Sequence, residues 1–485
     1  MGYNHITNFF HLPKGLPVAD HNSFHGPLKV HPKNPRYFTD DTKRAIYLTG
    51  SHTWANFQES GLDNDPPFDF TAYLDLLEGH NHNFIRLWVW EHGMRAPWTN
   101  DPVCFTPLPY LLSGSKYDLN AWNPTYFERL RQRVELAAAR GIYVSIMLFQ
   151  GWSLNKTGNP EGDPWLAHPF NGVNNINGVD VPIGGLVDDD INPTLHSLGN
   201  PEVLARQEAY IRKVIDTVNY FDNVLYEIIN EGGSTAWQYH MIEYIHTYER
   251  GKPKQHPVGM THRIAPEQFN SDLFNSPADW ISPGQEPQNC LHPGSIYLQD
   301  YRNDPIPADG RKVILSDTDH LWGHGGNHKW VWKSFLRGMN PIFMDPWKNL
   351  AGRLVRERTQ WMHLAGGISK DQPDYPDWEP IRLSMGTTRR YAEKINLVAM
   401  TPHGEMASTR YCLANLGKEY LVYLPDGGLV TLDLRNAKGN LSVEWFFPIL
   451  GRVMAGPEPV PGGKYATLAA PYSGDAVLYL SSQSV

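Results

Sequence analysis

The sequence predicts an α/β fold, a (β/α)8 TIM barrel, with a small C-terminal all-β sandwich behind it. Three observations carry that expectation. Short apolar runs alternate with helical patterns across residues 46–395. Several of those runs stop abruptly in polar, acidic or aromatic residues, the place where a barrel keeps its chemistry. From about residue 400 the alternation gives way to short strands separated by turn signals such as Pro425-Asp426-Gly427-Gly428. A doubly wound sheet is the competing architecture, but no Gly-rich phosphate fingerprint follows the first strand.

The elements follow in order. Residues 1–45 read as an arm with a hairpin, Arg36–Thr39 and Arg44–Leu48, around Asp40-Asp41. The second arm runs into a first strand, Leu48 to Trp54, and Phe70, Tyr73, Leu74 and Leu77 mark a helix by their spacing. Asn83–Glu91 is the second strand. Asn123-Pro124 is an N-cap with Pro at the first helical position, Phe127, Leu130, Val134 and Ala138 form the buried face, and Gly141 stops the helix. Ile142–Phe149 is the third strand, after which residues 151–200 form a long Asn-, Gly-, Asp- and Pro-rich loop. A helix from Pro201 to Tyr220 leads to the fourth strand, Asn223 to Asn230, which ends in Glu231-Gly232-Gly233. A helix over Trp237–Tyr248 and strands at His256–His262, Asp279–Pro283, Lys312–His320 and Asn340–Trp347 complete the eight. The domain boundaries expected are 1–45 for the arm, 46–395 for the barrel and 400–485 for the sandwich.

Composition narrows the function. With 41% hydrophobic and 19% charged residues, the 485-residue chain is an ordinary globular protein. A formal charge of -9 argues against nucleic-acid or anionic-membrane partners. Three scattered cysteines, Cys104, Cys290 and Cys412, give neither a disulfide scaffold nor a thiol zinc site. The start, Met1 to His5, has no basic region followed by an apolar stretch, so the location expected is cytoplasmic, or that of a mature form whose leader is gone. The 16 Trp and 24 Tyr suit sugar rings, whose C–H faces stack on aromatic plates, although aromatics also fill cores.

Two acidic strand ends stand out: Glu231 after strand four, and Asp317 or Asp319 after strand seven. In a closed barrel these strands face each other across the mouth. Two facing carboxylates are what glycosidic cleavage needs, one protonated to donate to the leaving oxygen and one ionised to attack the anomeric carbon. The alternative reading of each acid is a solvated loop carboxylate or a helix cap.

These residues carry a resemblance. Ile228-Ile229-Asn230-Glu231 resembles the strand-four Asn-Glu of clan A retaining glycoside hydrolases, and Lys312–Asp317 resembles that clan's nucleophile strand. The resemblance implies Glu231 as acid/base, Asn230 as a contact to the sugar 2-hydroxyl, Arg86 as the arginine that bonds the nucleophile and Trp347 as an aromatic platform. The layout is also similar to barrel proteins with a C-terminal sandwich named for collagen binding, in which a segment like Trp445–Gly451 recurs. The clan uses Glu as nucleophile where this chain offers Asp. Position at the strand end favours Asp317 over Asp319, and an inverting enzyme with an Asp base is the third option. The carboxylate separation distinguishes these, at about 5–5.5 Å for retention and about 6.5–9.5 Å for inversion.

Other polar and aromatic strand ends are candidate substrate contacts: His52, Trp54, Trp88, Glu91, Trp152, His262, His320 and Trp322, with packing as the plain alternative for each tryptophan and solvation for Glu91. His92 belongs to the same class of strand-end histidines. A metal-dependent hydrolase built on Asp317, Asp319, His320, His324 and His328 is the competing function, weakened because Gly323, Gly325 and Gly326 oppose a helix presenting the histidines together. Asp188-Asp189-Asp190 reads as a solvated acidic loop rather than a calcium site. No cofactor is expected, and a non-catalytic carbohydrate-binding barrel remains the reading from another class.

Overall fold

The structure, a computed structural model, describes residues 24–62, 66–96, 102–154, 162–181, 195–262, 270–285, 300–323, 325–345, 378–456 and 458–482. Eight parallel strands close into a barrel: β1 Gly50–His52, β2 Phe84–Leu87, β3 Tyr143–Gln150, β4 Val224–Asn230, β5 Val258–Thr261, β6 Trp280–Ser282, β7 Val313–Asp317 and β8 Asn340–Met344. Each pairs with its neighbour in sequence and β8 returns to β1, with Met344 opposite His52. Every residue of all eight strands is buried, which is why they read as continuous apolar runs rather than as alternating ones.

The helices start where the sequence places caps. In α2, Pro124–Ala138, the Asn123 side chain accepts from the Thr125 N–H. In α3, Pro201–Val218, Asn200 accepts from Val203, and in α4, Thr235–Glu249, Ser234 accepts from Trp237. Among the described residues the other helices of this part are α1 Phe70–Gly79, α5 Asn270–Asn275, α6 His328–Leu336 and α7 Glu379–Lys394. Tyr126, Phe127, Leu130 and Val134 of α2 join the main core with Ile211 and Ile215 of α3.

The expected N-terminal arm differs in pairing and in place. Phe38–Thr39 pairs with Lys29–Val30, and only Phe38 and Ile46 bridge across the Asp40-Asp41 turn. Leu28 and Phe38 pack with Leu48, Phe84, Tyr143, Leu225, Trp280, Val313, Leu315 and Ile342. This stretch plugs the floor of the barrel, because the N-terminal ends of the strands are apolar and need a cover.

The chain divides into two compact units, one spanning Asn22–Arg389 and one containing Arg390–Val485. In the second, a seven-stranded antiparallel sheet runs in the order Thr401–Pro402, Cys412–Asn415, Glu419–Leu424, Ala476–Ser482, Asn440–Phe447, Arg452–Ala455, with Val460–Pro461 alongside Asn440–Phe447. A two-stranded ribbon, Leu429–Asp433 and Tyr465–Ala469, contributes Val430 and Leu432 to a core with Tyr420, Val422, Trp445, Leu478 and Leu480.

Candidate active site

Arg86, on β2, is the hub of the barrel's C-terminal end. Its neighbours Phe84 and Trp88 lie two residues away, so the strand's period of two puts all three on one face. The guanidinium is 2% exposed; its five N–H groups meet four acceptor residues, and Nη1 also lies 3.3 Å from His52 Nε2. Nε and Nη2 donate to Glu227 Oε2 and Oε1 at 2.8 and 2.6 Å, and Nη2 also donates to Asn230 Oδ1 at 2.8 Å. Nη1 donates to Asp317 Oδ2 at 2.9 Å and to Asp319 Oδ2 at 3.1 Å. Arg86 therefore ties β4 to the end of β7 through a dry layer, where ion pairs have to be complete to be tolerated.

The two β7 acids have different surroundings. Asp317 is the last residue of the strand, and both its oxygens are engaged. Oδ1 accepts from the backbone N–H of Asp319 at 3.0 Å and lies 3.1 Å from His52 Nε2, while Oδ2 takes the Arg86 bond. It caps a 3-10 turn over Thr318–His320. Burial opposes its charge, but His52 and Arg86 outweigh that and hold the carboxyl well below the usual range. Asp319 sits on the capped turn. Burial pushes its carboxyl above the ordinary value, and the charge of Asp317 adds to this against the pull of Arg86. When one proton is available to the pair, Asp319 takes it first.

Glu231 follows β4 with φ at 50°, a left-handed backbone that a residue other than glycine adopts at some cost in strain. Gly232 comes next because nothing larger fits: a Cβ there would lie 2.6 Å from the Gly151 Cα. The Glu231 and Asp319 carboxylates and the His320 ring bring atoms within 4.8 Å of one another, and all three residues are buried. His320 Nδ1 is 2.9 Å from Ser282 Oγ and Nε2 is 3.3 Å from Asn230 Oδ1. Burial, reinforced by the charge of Arg86, keeps His320 neutral by pushing its pKa well below normal. A cation would use this same spacing, but Arg86 already donates to the Asp319 oxygen, and a fixed guanidinium on that carboxylate opposes one. Asp317 and His328 are not in this group, and His324 lies outside the described residues, so the metal set considered from sequence is not brought together among the described residues.

The remaining candidates divide by exposure. His52 lies against Asp317 and stacks on Trp88, ring centroids 5.5 Å apart. Trp88 is shut into the core, whereas Trp152, packed against the Trp54 ring, is half-buried. Trp322 is also half-buried, edge-on to Trp330 with the Arg302 guanidinium 5.9 Å from its ring. His262 is buried at the end of β5, closely backed by Gly284. Trp347, Asp188-Asp189-Asp190 and Cys290 lie outside the described residues.

Glu91 braces the fold. It accepts from the Gln150 N–H at 2.7 Å and pairs with His196 Nε2 at 3.1 Å, with His168 Nε2 at 3.8 Å. Against the penalty of burial, His196 and His168 hold it at about 2. His92 is wholly buried, and burial lowers it to about 3.

Two residues of the site went unread in the sequence. Glu227 sits mid-strand among apolar residues, and its signal was that a Glu in a wholly buried run requires a buried cation. Ser282, partner of His320, carried no signal.

Comparison of the sequence with family models and with curated proteins finds no match. Among solved structures the chain is similar to a protein described as a glycoside hydrolase, with TM-score 0.61 and 11% identity over 94% of this chain and 97% of that one. It is also similar to a glycoside hydrolase family 5 structure from Bacteroides vulgatus ATCC 8482, with TM-score 0.59 and 12% identity over 94% of each chain. At such identities the likeness is one of fold: a closed eight-stranded parallel barrel.

Proposed function

We propose that this protein is a glycoside hydrolase that works by a retaining double displacement, with Glu231 as acid/base and Asp319 as nucleophile. The observation that carries the reading is the approach of the Glu231 and Asp319 carboxylates to within 4.8 Å at the C-terminal mouth of a closed barrel. This is the approach of the nearest oxygens; it leans toward the carboxyl separation of retention, about 5–5.5 Å, rather than that of inversion, about 6.5–9.5 Å. The shape likeness to glycoside hydrolases supports the same reading.

In the first step an Asp319 oxygen attacks the anomeric carbon as the glycosidic bond breaks, and Glu231 gives its proton to the departing oxygen. In the second, Glu231 takes a proton from water, which attacks the same carbon and releases Asp319. Asp319 suits the nucleophile's role better than Asp317. Both Asp317 oxygens are committed within the protein, whereas Arg86 takes Asp319 through Oδ2. The 3-10 turn advances Asp319 beyond the strand, which offsets an Asp side chain one methylene shorter than the clan's Glu. Asn230 and His320 line the same space, and Trp152 and Trp322 offer aromatic edges to a sugar.

Trapping tests the assignment. A panel of 2,4-dinitrophenyl 2-deoxy-2-fluoro glycosides of both anomers is incubated with the enzyme, and the labelled peptide is sequenced by mass spectrometry. The expected result is one adduct, on Asp319. An adduct on Asp317 would transfer the role, and Glu231→Gln turning over natural-leaving-group substrates at the wild-type rate would end the reading.

A further inference from the structure

We propose that Glu227 is a positioning residue for this reaction: its two-pronged ion pair with Arg86 fixes the guanidinium between β4 and β7 and shares its charge, so that Asp319 is held without being over-stabilised. The inference rests on the glycosidase reading above.

A guanidinium has five N–H donors in a rigid planar fork. All five are used here: two on Glu227, one on Asn230, one on Asp317 and one on Asp319. Glu227 thus decides the plane in which the other three point. A parallel pair of bonds to one carboxylate defines an orientation that single bonds do not. Neither Arg86 nor Glu227 is solvated, at 2% and 0% exposure, so water does not replace a lost partner.

Charge follows the same geometry. A cation within about 4–6 Å lowers a carboxyl pKa by about 1–3. Arg86 acts on Asp319 in that direction, and Glu227 draws on the same guanidinium from its far side. The groups that face Asp319 are Arg86 from β2, Asp317 at the end of β7, Glu231 after β4, His52 from β1 and His320 on its own turn, with His262 beyond His320. Without Glu227 the whole charge of Arg86 falls on the two Asp side chains, and its two released donors have only them and Asn230 to turn to. Asp319 then binds its cation more tightly and its proton less tightly, and it becomes a poorer nucleophile.

Two variants separate charge from geometry. Glu227→Gln keeps the shape and removes the charge; Glu227→Asp keeps the charge and shortens the reach. Protonation of Asp319 is read without substrate by infrared titration of its carboxyl C=O band, assigned by its loss in Asp319→Asn. Turnover is read on whichever 2,4-dinitrophenyl glycoside of an α- and β-linked panel the wild type hydrolyses fastest. For Glu227→Gln the Asp319 midpoint should fall by about one pH unit or more, with the acid limb of kcat/KM moving alongside it, and kcat should fall about 100-fold. Glu227→Asp should leave the midpoint in place and still lower kcat. A folded Glu227→Gln enzyme with an unmoved midpoint overturns the proposal, even if its melting temperature drops. Should that variant not fold, Glu227→Asp decides, and wild-type kcat in it overturns the proposal. A Glu231→Gln enzyme that stays fully active on glycosides with natural leaving groups would instead defeat the glycosidase reading, while the infrared titration would still decide the influence of Glu227.

Discussion

Asp317 and Asp319 are two residues apart and share Arg86, yet their environments push them in opposite directions. Asp317, cradled by His52, Arg86 and a backbone N–H, stays ionised; Asp319, buried beside that charge, holds a proton more readily. As the proposed nucleophile, Asp319 predicts that the acid limb of kcat/KM lies above the ordinary Asp value of about 3.9. Asp317→Asn removes the neighbouring charge, so it should move that limb downward while weakening the turn; a pH–rate series on wild type and variant checks both. Glu91 predicts a stability effect of opposite origin. Its folded pKa of about 2 is depressed below its unfolded value, so it stabilises fully above about pH 4.3 and the contribution is lost as pH falls toward 2. With its side chain 13% exposed, the effect is on the order of 3 kcal/mol. Melting temperature measured from pH 6 to pH 2 should fall more steeply for wild type than for Glu91→Gln, and parallel curves would refute it. Choosing between the two Asp residues lay beyond the sequence because strand-end position says nothing of the 3-10 turn that advances Asp319.

At the scale of elements, the barrel was readable because strands such as Val224–Asn230 and Val313–Asp317 are short apolar runs and helices α1 to α4 carry side-chain caps. Alternation inside a fully buried strand was not readable, and that hid Glu227: in Leu225-Tyr226-Glu227-Ile228-Ile229 nothing marks which residues face inward. The closing helix α7 shows how elements are locked at this scale. Asp345, just past β8, takes two bonds of 2.7 Å from Arg382, while His80 at the end of α1 pairs with Glu379 at 2.8 Å. The Gly386 backbone presses on the His80 carbonyl, where a Cβ would lie 1.8 Å from the oxygen. Asp345→Ala leaves Arg382, with a side chain 14% exposed, with only the looser 3.5 Å pair to Glu379. The variant should lose about 3 kcal/mol in urea unfolding with an unchanged slope. A loss below about 0.5 kcal/mol would mean the pair is worth no more than a surface one.

On the scale of the whole molecule, the division between the two units falls inside α7. The residues of its last turn belong with the C-terminal unit: Tyr391 packs against Phe446 and Tyr479, its hydroxyl donates to Glu444 at 3.1 Å, and Lys394 donates to both Glu444 oxygens at 2.6 Å. The sequence located the change of character near residue 400, where strands begin, because a helix that ends in one unit and starts in another has no break in its pattern. The consequence is that the C-terminal unit, with its own core of Tyr420, Val422, Leu432, Trp445 and Leu478, should fold alone when expressed from Arg390, giving a cooperative thermal transition. The same fragment begun at residue 396 lacks the Tyr391 ring and the Lys394–Glu444 pair. Burial of one such side chain is worth about 1.5–3 kcal/mol, so the shorter fragment should melt clearly lower. Equal melting temperatures would show that the last turn of α7 is an appendage to that unit, and failure of the longer fragment to fold would show that its core depends on the barrel.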